Sequence, residues 1–293
     1  MSSICLNLLY EREINMNENF NRNFAEEAYL GFSLSKVENS NDILLSKHLS
    51  YSIPAKILAK TENATNIQFA NGLFGKIPNN QFSIYPRHND LTNIGDIVNV
   101  QITDYSPTSI IASRKLVQES SIKYLKEYLK QTVMGTVKEV NEVFIWVELG
   151  NGVLCKILNN DLFFYKGYRI NFIRAAFHIG EEIPVLIKSF SKNDQCFIGS
   201  YKDAFPSYVV QKDFFSTGQT LCCIVTGELN GFDHGYYVLV NPCVNGIVDI
   251  PENYEYASLI HREHRITAYI SGIGIEKGLH LKILFPYDIG DRS

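Results

Sequence analysis

Phe144 and Trp146 stand two residues apart in the run VFIWVELG, alternating with Ile145, Val147 and Leu149. Successive side chains of an extended strand point to opposite faces, so Ile145, Val147 and Leu149 form an inward set and Phe144, Trp146 and Glu148 an outward one. Two neighbouring outward aromatics make a platform on which the bases of a single strand stack, because every base has a π face. Lys138, Lys156, Lys188 and Lys192 supply cations for a phosphate backbone, with Arg169 and Arg174 in a longer connection beyond. The competing expectation is that another part of the chain covers the two rings and that the arginines are merely solvated. Tyr237, with His234 three residues before it, offers a weaker version of the same arrangement, or a packed pair.

Other chemistry finds little support. His261-Arg262-Glu263-His264 resembles metal-ligand spacing, but helical zinc motifs need histidines at i and i+4 and a third ligand, so no metal is expected. There is no G-x-S-x-G, no phosphate-cradling glycine loop and no Cys-His nucleophile context. Glu181 and Glu182 belong to a strand-entry turn and read as solvated. The sequence therefore predicts a protein that is not an enzyme, with no cofactor and no small-molecule substrate. None of the six cysteines forms a C-x-x-C pair, and they lie in apolar strand-like runs, as reduced structural thiols do.

The 293 residues carry a net charge of −4, which argues against a generic polyanion binder while leaving room for one local basic face. With 45% hydrophobic and 20% charged residues the chain is expected to fold, and its 18 Phe and 17 Tyr suit half-buried strands. No apolar run reaches the ~18 residues of a membrane span, and the first residues lack the basic region of a secretory signal. A cytoplasmic location away from membranes is the expectation.

The elements that must position these side chains recur three times. Each segment of about 70 residues begins with an alternating strand, enters a second strand and reaches a glycine-centred turn. A short third strand, an irregular connection and a last strand pair around Gly-Asp or Gly-Glu complete it. In the middle copy Val137, Val140, Ile145, Val147 and Leu149 face inward, and Gly150-Asn151-Gly152 reverses the chain. The first copy runs from AKILAK at Ala55 to ASRK at Lys115, and the third from HGYYVLV at His234 to LHLKI at Ile283. Between the first two, LVQESSIKYLKEYLKQT places Ile122, Leu125 and Leu129 on one helical face, with Glu119 and Lys123 as an i,i+4 pair. The second joint, DAFPSYVVQKDFFSTGQ, is aromatic enough to pack on a barrel. Ahead of the repeats, Phe20, Phe24 and Ala28 fall four apart, as in a helix that packs on the first barrel or docks on another protein.

Gly135-Thr136-Val137 in the middle copy, Gly235-Tyr236-Tyr237-Val238 and Gly246-Ile247-Val248-Asp249-Ile250-Pro251 in the third, and Ile94-Gly95-Asp96-Ile97-Val98-Asn99-Val100 and Ser113-Arg114-Lys115 in the first each supply one element of a motif order that the copies repeat. That order resembles the S-one domain family, the RNA-binding module of ribosomal S-one proteins, which runs G-x-V, G-a-F-V, e-G-l-v-h-i-S, G-d-x-v-x-v and S-x-K. The likeness extends from about Ser50 to Ile283 and resembles the N-terminal part of the bacterial small-subunit protein. It implies an all-β chain of three tandem five-stranded OB-fold barrels, with a short N-terminal helix and a linker helix. The divisions are an N-terminal segment 1–49, barrels at 50–116, 133–203 and 218–286, the linker helix 117–132, a linker 204–217 and a tail 287–293.

The resemblance implies single-stranded RNA, specifically mRNA, as partner, with the small ribosomal subunit docking on the N-terminal region around Phe20 and Phe24. Trp146 and Tyr237 take the family's aromatic position, whereas the first copy has Asn63, Asn66 and Gln68 outward and is expected to make protein contacts. The family's strand-three His is replaced by Pro78, Leu158 and Asp249, and its last-strand Arg by Ser109, Cys196 and Gly278. The middle copy has eight basic against seven acidic residues and the third has four against seven, so weak, salt-sensitive binding shared among modules is expected. Two alternatives stay open: an adaptor whose barrels have lost nucleic-acid binding, and a single-stranded DNA binder.

Overall fold

Each copy of the pattern folds into a closed barrel. The first is built from β1 (Ser52–Lys60), β2 (Ala64–Phe69), β3 (Phe74–Pro78), β4 (Ile97–Ser106) and β5 (Ser109–Ser113). The second has β6 (Thr132–Val140), β7 (Phe144–Glu148), β8 (Leu154–Leu158), β9 (Glu182–Ser191) and β10 (Cys196–Ser200). The third has β11 (Thr220–Glu228), β12 (Gly235–Asn241), β13 (Val244–Asp249), β14 (Arg265–Ile273) and β15 (Leu279–Phe285). In each the strand order is first, second, third, fifth, fourth and back to the first. Third and fifth strands pair in parallel and all other neighbours antiparallel, which is the OB topology. Closure leaves no edge strand unpaired among the described residues. This computed structural model describes residues 43–44, 47–48, 50–85, 91–106, 108–141, 143–163, 170–228, 235–249, 260–274 and 278–285.

The first strand of each barrel serves two partners. In the second barrel its start pairs with β9, from Thr132↔Leu186 to Thr136↔Glu182, and its end pairs with β7, from Thr136↔Glu148 to Val140↔Ile145. The register slips between Val137 and Glu139, and matching slips occur at Ile57/Ala59 and Val225/Gly227. An extra residue bends the strand and sharpens its twist, which lets one strand span both sides of a small barrel.

The cores follow the predicted alternation. Val137, Ile145 and Val147 are fully buried and Leu149 is 2% exposed, while Val140 packs at the rim. Burying each such side chain contributes roughly 1.5–3 kcal/mol. At the reversal, Gly150, Asn151 and Gly152 all take positive φ (109°, 50° and 74°), which explains two glycines around a tolerant Asn. Gly152 also abuts the buried Arg114 side chain so closely that a Cβ would collide with its guanidinium.

The joint between barrels one and two is helix α1 (Lys115–Leu125), followed by a 3-10 turn at Lys126–Tyr128. Val117, Ile122 and Leu125 are buried, but Leu129 is 38% exposed and extended (ψ 135°), not on the helical face. The helix ends early because the backbone changes partner: Lys130 N–H donates to the Ile187 carbonyl at 2.7 Å, and Ile187 N–H to the Gln131 carbonyl at 3.0 Å. Gln118, fully buried, donates to the Gly152 carbonyl at 3.0 Å and accepts from Ile84 N–H at 2.9 Å. Asn151 accepts from the Asn99 amide at 2.8 Å and donates to the Ser121 hydroxyl at 3.0 Å. These bonds fasten the β7–β8 turn onto the first barrel and the helix.

The second joint packs as its aromatics suggested, with Phe205 against the second core and Phe215 in the third. It includes a single helical turn, and Gln211 in it accepts from the Asn241 amide at 2.7 Å. The long connection of the middle barrel, read as irregular in the sequence, contains helix α2 (Ile170–Ala176). The Arg265 guanidinium of the third barrel donates to the Ala175 carbonyl at 3.2 and 3.1 Å and to the Ala176 carbonyl at 3.1 Å. A cation at a helix C-terminus meets the negative end of the dipole. Ile224 and Leu239 of the third barrel join the middle core. The helix expected around Phe20 and Phe24 lies outside the described residues. Among those described, no helix is long and apolar enough to cross a membrane.

Candidate nucleic-acid interface

The pairing registers align the outward faces of the three barrels. On the second, third and fifth strands the central outward rung is Asn66–Lys76–Ile111 in the first barrel, Trp146–Lys156–Ile198 in the second and Tyr237–Ile247–His280 in the third. This is the face on which OB barrels stack bases.

Trp146 does point away from the core of its own barrel, but it is not open. It is 6% exposed and belongs to a separate cluster with Tyr85, Leu154 and Cys196, against which Ile84, Leu91 and Phe144 pack. The connection leaving β3 of the first barrel crosses the outer face of the second. Tyr85 is anchored there by accepting a hydrogen bond from Leu154 N–H at 2.8 Å. The expected two-ring platform is thus corrected to one accessible ring, because a neighbouring barrel fills the space beside the other. Phe144 is half-buried and meets Trp146 edge to face, with centroids 5.2 Å apart. Lys156 Nζ lies 4.2 Å from the Phe144 centroid and 5.8 Å from that of Trp146. The ammonium covers that face of Phe144, so a base stacking there displaces it toward the backbone path, where it can meet a phosphate.

The other predicted cations have different surroundings. Lys138 Nζ is 2.8 Å from Glu148 Oε2. Lys188 is exposed but bridges Asp161 at 2.8 Å and Asp203 at 3.3 Å, and the Asp161 hydrogen bond raises its pKa. Those two carboxylates cancel the charge it would offer to phosphate. Lys192 is exposed in the β9–β10 turn, and Arg174 is exposed on α2. Arg169 and His234 lie outside the described residues, as do the docking candidates Phe20 and Phe24.

The first barrel departs from its expected polar face. Asn63 and Asn66 are exposed and Gln68 half-buried, as the alternation requires. Yet Phe74, paired with Gln68 on β3, is 63% exposed, and Lys76 is exposed two residues on along the same face. A stacking ring and a cation therefore stand where none was expected. The signal lay in the alternation of Phe74 and Lys76 against the buried Ile77 after the Asn71-Gly72 turn, on the third strand instead of the second. In the third barrel Tyr237 is 48% exposed, and the same rung ends at exposed His280, a histidine the sequence did not single out.

Between the first two barrels opens a cleft of about 270 Å³, lined among others by Tyr85, Leu91, Arg114, Lys138, Glu148 and Leu154. Glu148 and Leu154 pair directly across β7 and β8, so the cleft continues the outward face of the second barrel. Elsewhere, His264 Nδ1 accepts from His261 N–H at 3.2 Å, which uses that nitrogen within the turn. Burial pushes the thiols of Cys196 and Cys243 up to about 11, so both stay protonated and unreactive.

These features define a class: tandem OB barrels with unequal outward faces. No family model matches the sequence, and no curated protein matches it. Solved structures that match include a multidomain protein with nucleic acid binding domains from Streptococcus pneumoniae TIGR4. That likeness has a TM-score of 0.29 and 13% identity, covering 80% of this chain and 73% of that one. Another is GSP13 from Bacillus subtilis, with a TM-score of 0.24 and 15% identity, covering 27% of this chain and 61% of the other.

Proposed function

We propose that this chain binds single-stranded RNA without catalysing a reaction, as an S-one-type protein acting on mRNA during translation in the cytoplasm. The observation that carries this reading is a ring beside a lysine on the outward face of two barrels: exposed Phe74 and Lys76, two residues apart on β3, and half-buried Phe144 on β7 beneath Lys156 on β8. Each pair can stack one base and neutralise one phosphate. Tyr237 adds a third, weaker ring. Few uncompensated cations mean modest affinity per barrel, and joining barrels in one chain raises the overall affinity by effective concentration. The N-terminal segment with Phe20 and Phe24 is assigned to docking on the small ribosomal subunit.

A rival reading is a protein-binding adaptor. It is favoured by Trp146, whose face the first barrel occupies, and by Lys188, which two carboxylates hold. Titration with a labelled 20-nucleotide single-stranded RNA at 20 mM and 200 mM salt, against DNA of the same sequence and duplex RNA, separates the readings. RNA binding that weakens steeply with salt supports the proposal. Equal binding of DNA favours the DNA alternative, and no binding at low salt leaves the adaptor. Ribosome co-sedimentation with and without residues 1–49 tests the docking assignment, which fails if removal changes nothing.

A further inference from the structure

The cleft between the first two barrels holds an ion pair at its wall. Lys138 Nζ lies 2.8 Å from Glu148 Oε2, and Glu148 Oε1 accepts Gly152 N–H at 2.8 Å. The two side chains are 36% and 24% exposed, so both reach the solvent-filled space. An ionised carboxylate offers about four acceptor positions and an ammonium group three donors. These contacts therefore leave capacity on each group for a ligand. Half-exposed pairs of this kind hold together weakly, so a ligand that meets both charges can share them.

A carboxylate beside an ammonium group presents acceptors next to a donor. One nucleobase edge complements that order: guanine carries the O6 acceptor beside the N1–H and 2-amino donors. Adenine, cytosine and uracil each lack a pair of adjacent donors flanked by an acceptor. The cleft lining is mainly polar, and half-buried Leu91 is the apolar side chain most open to a flat ring there. At about 270 Å³ the space lies a little below the range of sites that enclose drug-sized ligands, from ~300 Å³ upward, and suits one nucleotide unit. Glu148 and Leu154 form the rung next to Trp146–Lys156 on the β7–β8 ladder, so the cleft opens on the same outward face as Phe144, on the far side of covered Trp146.

We propose that this inter-barrel cleft is a guanine site. Glu148 accepts from N1–H and the 2-amino group, Lys138 donates to O6, and the base comes from an unpaired guanine of a bound strand. The source of the base rests on the single-strand reading above, whereas recognition of the base does not.

Fluorescence anisotropy with uridine decamers carrying one central guanine, inosine or adenine tests the site in the full chain. The expected preference for guanine over adenine is about tenfold, in line with one well-formed bidentate base contact. Inosine, which lacks the 2-amino group, falls between them. Glu148→Gln keeps the side-chain shape and an acceptor for Gly152 N–H, and is expected to equalise guanine and adenine. Lys138→Gln is the second variant, and a thermal melt of each checks the fold. Equal binding of the three decamers by the wild-type protein overturns the guanine site and leaves the single-strand reading intact. If no decamer binds, guanosine monophosphate is titrated alone, with adenosine monophosphate as control. Guanine-selective binding lost in Glu148→Gln then supports the site and overturns the single-strand reading, while absence of selectivity overturns both.

Discussion

The Tyr85 hydroxyl accepts the Leu154 amide proton at 2.8 Å, a bond from the connection of one barrel to an outward-facing strand of the next. It holds the lid over Trp146 and forms part of the wall of the inter-barrel cleft. Burial pushes the Tyr85 phenol far above its ordinary pKa, so it stays neutral. Tyr85→Phe leaves a buried N–H without its partner and is expected to cost roughly 1–3 kcal/mol, read from urea unfolding. Acrylamide should quench Trp146 more strongly in the variant. An unchanged midpoint with unchanged quenching would contradict the lid.

Stability at high pH follows from the same tyrosine and from Tyr124. Burial and the Tyr128 hydroxyl, 2.6 Å away, push Tyr124 up to about 12. A phenol whose folded pKa exceeds its unfolded value of about 10 stabilises the fold below that pH, and the contribution is lost as the pH climbs through the raised value. Unfolding midpoints should therefore fall from about pH 10 upward. Tyr85→Phe and Tyr124→Phe should each flatten the decline, and curves parallel to wild type would count against these assignments.

Much of the fold was legible in the sequence because barrel strands alternate on a period of two. Alternation assigns Val137, Ile145 and Val147 inward, and all three are fully buried, while the glycine turn at 150–152 falls where Gly-Asn-Gly places it. The interface was less legible. Alternation assigns a side chain to a face but carries no information about what crosses that face, so Trp146 read as open while Tyr85 and Leu91 cover it. Phe74 carries the same alternation signal as Lys76, opposite buried Ile77 on β3, but it sits on the third strand, whereas the stacking ring is expected on the second. Leu129 leaves the helical face because Lys130 and Gln131 bond to Ile187, a partner that helical periodicity does not foresee.

The second and third barrels are joined through Arg265 and the carbonyls of Ala175 and Ala176. Arg265→Met keeps the apolar stem and deletes the hydrogen bonds, at an expected cost of roughly 1.5–3 kcal/mol. The third barrel should then unfold ahead of the other two in urea, splitting one transition into two. A single transition at the wild-type midpoint would show that the barrels do not depend on this contact.

Trp146→Ala should damage the fold more than binding. Removing a 6% exposed ring opens a cavity between two barrels, with an expected loss of about 3–5 kcal/mol. Calorimetry checks the stability. Affinity for RNA measured well below the lowered melting temperature should change little. A large affinity loss with intact stability would mean that bases reach Trp146.

The ring that tests the central claim most directly is Phe74, which is 63% exposed on the first barrel. Anisotropy titration of a single-stranded RNA at low salt, comparing wild type with Phe74→Ala, measures what that ring contributes. Stacking of one base is worth roughly 1–3 kcal/mol by alanine substitution, so affinity should fall about 5- to 150-fold while the melting temperature stays put. Wild-type protein that binds no RNA at low salt, or a Phe74→Ala variant that binds as tightly as wild type, would contradict an open-ring RNA interface.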